Sequence, residues 1–394
     1  MAFRFLHTAD WHAGRQLMGR DRNPEIVAAL AEVAEAARQY SVDLVLVAGD
    51  VFDKPNPSAE AERAVYGFFD ELNESGIRSV VIAGNHDSPG RLDAASGLLR
   101  LAGAHVVGEP RPGGAGGTVS YNFGGTGVRV AALPFVSERR IIRLDERQDQ
   151  DDAQQKPLYR ERMARFISNL TAGFDPEAVN LLMLHGTMEN ARLSRSEYTF
   201  HSTTSYTLGP EIIPADASYL AMGHIHNSQA ISGLPEFRGR YSGSLIQLDF
   251  GEEGDSKHVY VYEAAAGRPV ELVAEVPIRA GVRLRRVALT PAELESRTFE
   301  LADFGGWLKI VLRLDEPRPG LKDAVLRTLP NVISVETVLE GGGSEEADPP
   351  AAGTLDLPAE YARYWLEQKG QEQPESNRRA FEELLGVTFG DDPE

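Results

Sequence analysis

The sequence predicts an α/β fold with a second, smaller α/β unit and a helical C-terminal extension. Three observations predict it: short apolar runs that each end in a polar cluster, amphipathic stretches of helical length between them, and a Gly/Pro-rich stretch after residue 340. The chain has 394 residues, which is too long for one ordinary core. One large domain with one or two smaller ones is therefore expected.

Roughly the first 265 residues alternate between predicted strands and helices. Apolar runs predict strands at Phe3–Thr8, Leu44–Ala48, Val80–Ala83, Leu181–Leu184 and Tyr219–Met222. Amphipathic periodicity predicts helices at Pro24–Tyr40, Ala59–Ser75 and Leu92–Leu101. Residues 110–127 predict a Pro/Gly-rich loop and a hairpin, and residues 146–157 a polar surface connection. In such a fold, ligands bind at the carboxyl ends of the strands.

A second α/β unit begins near Val276. Its predicted elements are strand Val282–Leu289, helix Pro291–Arg297, strand Trp307–Leu314, helix Leu321–Leu329 and strand Val332–Leu339. The sequence GGGSEEADPPAAGT that follows is typical of a linker. We therefore expect a large domain at 1–270, a small α/β domain at 276–340, a linker at 341–354 and a helical segment at 355–394.

The composition excludes several kinds of site. The chain has no cysteine, so disulfides, cysteine nucleophiles and thiolate zinc sites are excluded. No apolar run approaches the roughly 20 residues that cross a bilayer, and the N-terminus MAFRFLHTADWH lacks the apolar stretch of a signal peptide. These features favour a cytoplasmic protein with no membrane partner.

The net charge of −19 neither supports nor excludes a nucleic-acid partner. Contacts to phosphate need Lys and Arg, which argues against nucleic acid. However, residues 341–394 hold 13 acidic and 4 basic residues, so about half of the excess lies in the C-terminal segment. A bound cation would offset some of the remaining acidic residues if they are metal ligands.

Five polar clusters follow predicted strands. They are Asp10-Trp11-His12, Gly49-Asp50, Gly84-Asn85-His86-Asp87, His185-Gly186 and Gly223-His224-Ile225-His226. In an extended chain, residues i and i+2 point the same way, so the two ends of Asp-x-His and of His-x-His converge. A glycine beside a ligand lets the backbone turn sharply.

Together these clusters predict a site for two divalent metal ions. Two carboxylates, one amide and four imidazoles give seven ligands: Asp10, His12, Asp50, Asn85, His185, His224 and His226. Asp50, in the middle of the set, is the natural bridge between the ions. Nitrogen and oxygen ligands without sulfur favour Mn²⁺ or Fe²⁺ and permit Zn²⁺. Such a pair of ions suits phosphoester hydrolysis, with His86 stabilising charge or protonating the leaving oxygen.

In this order, the motifs Asp-x-His, Gly-Asp, Gly-Asn-His-Asp, His-Gly and Gly-His-x-His resemble the calcineurin-like metallophosphoesterases over about residues 1–250. The segments HTADWHAGR, GDVFDKPNPS, AGNHDSPGRL, MGHIH and YSGSLIQLDFGE more specifically resemble the nuclease subunits of bacterial SbcCD complexes. The resemblance implies a four-layer sandwich of two central β-sheets flanked by helices, with a capping domain at 276–340. It also implies a DNA exonuclease and endonuclease that acts in repair and recombination.

The resemblance implies how the ligands are shared. One ion, most simply Mn²⁺, would be held by Asp10, His12, Asp50 and His226. The other ion would be held by Asp50, Asn85, His185 and His224. His86 would be the catalytic histidine. Asp53 stands where archaeal and eukaryotic relatives place a second catalytic histidine, and either orients His86 or supports the loop.

The resemblance also implies a homodimer and a complex with an SbcC-type coiled-coil ABC ATPase. This chain has no GxxxxGK[ST] loop, so ATP would be bound by that partner and not here. Two short amphipathic stretches after the linker suit docking on it, through Tyr361, Tyr364, Trp365, Phe381, Leu384 and Leu385. The alternative is that they pack on their own chain.

Several arginines are candidates for contacts to DNA phosphates. Arg15, Arg20 and Arg22 follow the first ligand pair, and Arg91 follows the third cluster. Further candidates are Arg139, Arg140 and Arg143.

Three other functions remain open. A phosphomonoesterase of this superfamily typically has an arginine just after the second and third motifs. Here the second motif is followed by Lys54 and the third by Arg91 only several residues on, which favours diesters. A small-molecule phosphodiesterase does not obviously need the C-terminal domains. A non-enzymatic scaffold would be expected to lose ligands, and every ligand position here is filled.

Overall fold

A computed structural model describes residues 2–137, 152–192 and 207–339, together with 361–362, 365, 373–375 and 377–378. The chain divides into two compact units, which are described separately. One comprises Met1–Arg313 with Arg318–Val338, and the other Leu314–Pro317 with Leu339–Glu394. The predicted linker at 341–354 lies outside the described residues. No described helix has the length and apolar character needed to cross a membrane.

Strands and helices alternate along the described chain. The strands are β1 (Phe3–Thr8), β2 (Gln16–Leu17), β3 (Arg20–Asp21), β4 (Leu44–Ala48), β5 (Arg78–Ile82), β6 (Ala104–Val107), β7 (Thr118–Phe123), β8 (Thr126–Leu133), β9 (Val179–His185), β10 (Tyr219–Gly223), β11 (Gln229–Ala230), β12 (Gly239–Tyr241), β13 (His258–Ala264), β14 (Glu271–Pro277), β15 (Arg283–Leu289), β16 (Gly306–Leu314) and β17 (Val332–Leu339). The helices are α1 (Asn23–Gln39), α2 (Ala59–Glu74), α3 (Pro89–Leu99), α4 (Asp152–Thr171), α5 (Pro291–Ala302) and α6 (Leu321–Thr328).

The strands and helices predicted between residues 3 and 339 are all present, with ends shifted by a few residues. The largest shift is in α5, which continues to Ala302. The prediction of a surface connection at 146–157 was wrong from Asp152 onward, where α4 begins. The predicted end of the large domain at residue 270 was also too early, because β14 pairs with β13 as the edge strand of the first sheet. Alternating exposure along β14 hides this membership from sequence reasoning.

Two six-stranded sheets form the centre of the first unit. The first has the order β14-β13-β1-β4-β5-β6, and its strands β1, β4, β5 and β6 are parallel. The second has the order β11-β12-β10-β9-β8-β7, and its strands β8, β9, β10 and β12 are parallel. The edge strands β7 and β11 pair antiparallel with their neighbours. Within each sheet, the carboxyl ends of the parallel strands therefore meet at one edge.

Three buried apolar cores sort these elements into four layers. Along β4, Leu46 faces the core between the sheets, while Val45 and Val47 face the core shared with α1, α2 and α3. This is the side-chain alternation that a strand buried on both faces requires. Along β9, Met183 faces the inter-sheet core and Leu182 faces the core under α4. The predicted four-layer α/β sandwich is therefore confirmed.

The predicted capping domain forms a three-stranded sheet in the order β15-β16-β17. Backbone N–H groups at the start of β15 donate to side chains of the large domain. Val282 N donates to Glu25 Oε2 (2.6 Å), Leu284 N to Gln247 Oε1 (2.8 Å), and Arg286 N to a Glu253 oxygen (2.9 Å). These bonds attach β15 to α1 and to the segment that precedes β13.

Arg22 lies where these contacts meet. Its fully buried guanidinium donates to both carboxylate oxygens of Glu25 and to the Gln247 carbonyl oxygen, and lies 5.0 Å from the centre of the Trp307 ring on β16. Arg20, on β3, is exposed and lies 5.8 Å from that ring.

Replacing Arg22 with Ala should lower the free energy of unfolding by about 3–5 kcal/mol, because the nearly buried Glu25 carboxylate loses its partner. Urea denaturation followed by circular dichroism measures this. The matched control is Arg20→Ala, which should change stability by less than about 0.5 kcal/mol. Equal losses in the two variants would contradict the assigned role of Arg22.

Candidate functional site

The structure gathers the seven predicted ligands at the carboxyl ends of β1, β4, β5, β9 and β10. Donor atoms of Asp10, His12 and His226 lie within 4.8 Å of one another, as do those of Asp10, Asp50 and His185. Asn85 and His224 join the same cluster through side-chain contacts. Parallel strands explain this convergence, because residues far apart in sequence leave the sheets at the same edge.

Four of these ligands have backbone conformations that L-residues rarely adopt. The φ angles are 53° at Asp10, 48° at His12, 49° at Asp50 and 103° at His224. Each such residue costs about 1–3 kcal/mol and persists because surrounding contacts enforce it. Here Asp10 N donates to the Gly49 carbonyl oxygen (2.9 Å), His12 N to that of Asp50 (3.0 Å), and His224 N to the Asp10 carboxylate (2.9 Å).

One half of the cluster is built around His12. Its imidazole is almost fully buried, and neither ring nitrogen makes a hydrogen bond with the described part of the chain. The nearest carboxylate oxygens are Asp53 Oδ1, 3.3 Å from Nδ1, and Asp50 Oδ2, 3.6 Å from Nε2. The His226 ring lies 5.1 Å away, centre to centre. A neutral imidazole carries a lone pair on one of its two ring nitrogens. Because His12 makes no hydrogen bond with the described residues, this lone pair can coordinate a cation.

The other half is built around Asn85. Its Oδ1 lies 3.0 Å from His185 Nε2 and 2.8 Å from His224 Nδ1. His185 Nε2 is also 3.5 Å from Asp50 Oδ2, the oxygen that faces His12. Asp50 therefore touches both halves of the cluster. His185 donates through Nδ1 to the Ala48 carbonyl oxygen (2.8 Å), which directs Nε2 into the site.

The electrostatics fit a divalent cation. Burial raises the pKa of Asp10 to about 7 and lowers the pKa of His12 to about 4. Burial would also raise the pKa of Asp50, but the adjacent His185 holds it well below its ordinary value. Burial opposes protonation of His185, yet the Asp50 carboxylate raises its pKa to about 9. Coordination requires carboxylates and neutral imidazoles, so a bound cation would take the place of the protons that Asp10 and His185 bind.

Glycines make room for the ligands. At Gly49, where φ is +94°, an added Cβ would lie 2.2 Å from His185 Nδ1. At Gly84, it would lie 2.1 Å from Asp50 Oδ1 and 2.3 Å from the Asp50 backbone nitrogen. No side chain fits at either position without moving a ligand.

His86 is partly exposed beside the cluster, whereas Asp53 is buried. The backbone N of His86 donates to Asp50 Oδ1 (2.8 Å), and its Nδ1 donates to the Asp53 carbonyl oxygen (3.0 Å). The Asp53 carboxylate instead accepts from Arg15 Nη1 (3.0 Å) and faces His12. Burial would raise the pKa of Asp53, but His12 and Arg15 lower it. Asp53 therefore contacts His86 through its backbone and His12 through its side chain.

Sequence reasoning missed three residues that shape the site. Asp87 accepts from the backbone nitrogens of Val51, Phe52 and Gly84, which ties the loop after β4 to the loop after β5. The Phe135 ring stacks on His224 with 6.3 Å between ring centres. Glu252 accepts from His226 Nδ1 at 2.9 Å. Asp87 and Glu252 both lie within recognisable sequence motifs, but the motifs do not indicate which residues these carboxylates contact.

The arginine candidates differ in position. Arg15 lies beside the cluster through Asp53, and Arg20 is exposed on the neighbouring hairpin. Arg91 is exposed but donates to Glu62 and Asn56. Arg22 is fully buried and bound to Glu25, so its guanidinium is not accessible to phosphate. The candidates Arg139, Arg140 and Arg143 lie outside the described residues.

Little of the C-terminal segment is described. The Tyr361 and Trp365 rings, one helical turn apart, lie 6.2 Å from each other. Tyr364, Phe381, Leu384 and Leu385 lie outside the described residues.

Comparison with known proteins agrees with this architecture. The model of the calcineurin-like phosphoesterase family matches residues 3–228. The SbcD component of the nuclease SbcCD from Bacillus subtilis is 33% identical over 314 residues, which cover 79% of each chain. The corresponding protein of Rhodobacter capsulatus is 31% identical over 90% of this chain and 91% of its own. That of Escherichia coli K12 is 28% identical over 97% of this chain and 94% of its own.

Replacing Gly84 with Ala should displace Asp50 and weaken divalent-metal binding by at least about 10–100-fold, the range seen when the support of a ligand is removed. Isothermal titration of the metal-free protein with MnCl₂ measures this. Gly90→Ala, on the following helix, is the matched control, because an added Cβ there meets no atom within 4 Å. Unchanged affinity in the Gly84 variant would show that Asp50 is not a ligand.

Proposed function

Because the chain belongs to the calcineurin-like phosphoesterase family, it is a metal-dependent hydrolase, and we propose that it cleaves DNA phosphodiester bonds as the nuclease subunit of an SbcCD-type complex. The observation that carries this proposal is the gathering of seven donor side chains, with Asp50 between the two halves, in a chain that aligns with such subunits over nearly its whole length. The proposed substrates are duplex ends for exonuclease activity, and single-stranded and hairpin DNA for endonuclease activity.

We assign the ligands as the two halves of the cluster suggest. Asp10, His12, Asp50 and His226 would hold one ion, and Asp50, Asn85, His185 and His224 the other. Two divalent ions so bound would activate water and neutralise charge on the phosphate oxygens during in-line displacement. The nitrogen and oxygen donors support Mn²⁺ as the working metal.

The remaining chemistry belongs to His86. Its Nδ1 is engaged by the Asp53 carbonyl oxygen, so Nε2 is the ring atom available to a substrate. Its backbone bond to Asp50 keeps the ring next to the metal cluster. In its imidazolium form His86 carries a second proton on Nε2, which it would donate in a hydrogen bond to a phosphate oxygen or pass to the leaving oxygen. Asp53 and Arg15 fix the loop that positions it.

Replacing His86 with Ala should lower the cleavage rate about 10²–10⁴-fold, because a positioned proton donor is lost. Metal binding should persist, since His86 is not among the assigned ligands. The measurement is Mn²⁺-dependent cleavage of single-stranded and hairpin DNA, with MnCl₂ titration of the same samples. His258→Ala, which removes a histidine outside the cluster, is the control. A His86 variant with full activity would refute the assigned role.

We propose Arg15 and Arg20 as contacts to the DNA backbone. Arg15 is the arginine closest to the cluster among the sequence candidates that the structure describes, since its guanidinium binds Asp53. Arg20 is exposed on the β2–β3 hairpin that follows the first ligand pair. Arg91 ranks lower because its guanidinium contacts Glu62 and Asn56, which lie outside the cluster, whereas that of Arg15 contacts Asp53 beside His12 and His86.

Arg15→Ala and Arg20→Ala should each reduce the slope of log affinity against log salt by about 0.7–0.9 per lost phosphate contact. Fluorescence anisotropy of labelled DNA in Ca²⁺ over a salt series measures the slope. Arg38→Ala, which removes a guanidinium paired with Glu35 and Glu71, is the control. If the slopes of all three variants match that of the parent, these arginines do not contact the backbone.

We further propose the partners that the relationship to SbcCD nucleases implies. The chain would form a homodimer and assemble with an SbcC-type coiled-coil ABC ATPase that binds the nucleotide. Residues 355–394 would supply the docking helices. The Tyr361 and Trp365 rings support this because they are four residues apart in sequence and lie 6.2 Å from each other, as an amphipathic helix requires.

A further inference from the structure

Glu252 occupies an unusual position for a glutamate. It is fully buried, and its Oε1 accepts from His226 Nδ1 at 2.9 Å. A neutral imidazole that donates through Nδ1 keeps its lone pair on Nε2. This bond therefore selects the tautomer of His226 that can bind a metal through Nε2, and it fixes the plane of the ring.

The other oxygen of Glu252 is held just as firmly. Oε2 accepts from Lys257 Nζ (2.7 Å), Ser244 Oγ (3.2 Å) and Leu248 N (3.2 Å). Burial would raise the pKa of Glu252, but Lys257 and then His226 hold it far below its ordinary value. The carboxylate is thus ionised and cannot rotate away from the imidazole without losing several bonds.

Lys257 connects the same carboxylate to the backbone of the histidine. Its Nζ donates to the His226 carbonyl oxygen (3.1 Å) as well as to Glu252, and its side chain is 6% exposed. The ring and the backbone of His226 are therefore both fixed by one buried ion pair. An ion pair that served only the stability of this loop would not need to contact both parts of the same histidine.

The groups that lie behind the imidazoles, on the side away from the site, differ between the two halves of the cluster. In the half that contains His226, His12 also faces a carboxylate, that of Asp53. In the other half, His185 donates to the Ala48 carbonyl oxygen instead. A carboxylate behind an imidazole increases its basicity more than a neutral carbonyl does.

We propose that Glu252 is a positioning residue that holds His226 in its metal-binding orientation and tautomer, and that it sets the affinity of the ion assigned to Asp10, His12, Asp50 and His226. This inference rests on the proposed function, because it takes His226 as a ligand. It predicts that loss of Glu252 affects one ion and spares the other.

The test titrates the full-length, metal-free protein with MnCl₂ and follows its thermal unfolding. Glu252→Gln keeps the shape of the side chain but loses the charge, and its amide nitrogen opposes Lys257. We expect one of the two ions to bind about 10–100-fold more weakly and the other to bind as in the parent. Glu253→Gln, which removes the neighbouring exposed carboxylate, should leave both affinities unchanged.

Glu252→Asp provides a second variant that keeps the charge but shortens the reach to His226, and it should show the same selective loss. Parent-like affinities for both ions in either folded variant would overturn the proposal. So would equal weakening of both ions, or failure of both variants to fold, since Glu252 would then be a structural anchor. A parent protein that binds no Mn²⁺ would instead refute the metal site itself.

Discussion

The carboxylate of Asp50 is the contact on which the rest of the site depends. One of its oxygens accepts from the backbone of His86, and the other faces His12 on one side and His185 on the other. The carboxylate can contact these residues only if no other side chain lies between it and them. The absence of a Cβ at Gly84 gives the carboxylate its room, and Gly49 does the same for His185. Both glycines are therefore required by the packing of the site, and they do more than allow the chain to turn.

The sandwich explains how such a crowded group of charges can be held. The core between the sheets sets their separation, and the ligands leave each sheet at the ends of parallel strands. Asp87 then ties two of these loops together through their backbone nitrogens. The similarity to SbcCD nuclease subunits extends over nearly the whole chain, so it includes the β15-β16-β17 sheet as well as the sandwich.

Sequence patterns predicted the strands and the polar clusters at their ends well, because buried strands and strand-end clusters are local features. They failed where partners are remote. The direction of the Asp53 side chain depends on Arg15 and His12, across separate loops. The burial of Arg22 depends on a carbonyl group 225 residues away, and so no local pattern distinguishes it from an accessible arginine. Glu252 and His226 are 26 residues apart and are joined by short strand and turn segments, so no local pattern connects them.

Four of the predicted ligands have a left-handed backbone conformation: Asp10, His12, Asp50 and His224. The residues assigned to the chemistry are therefore also residues with a strained backbone. A glycine at any of them would relax the chain and remove a predicted ligand at the same time. At each of these residues, a substitution that stabilises the fold would therefore reduce activity. Substitutions that increase thermal stability would therefore have to lie elsewhere in the sandwich. The residues at these four positions would be selected for activity alone.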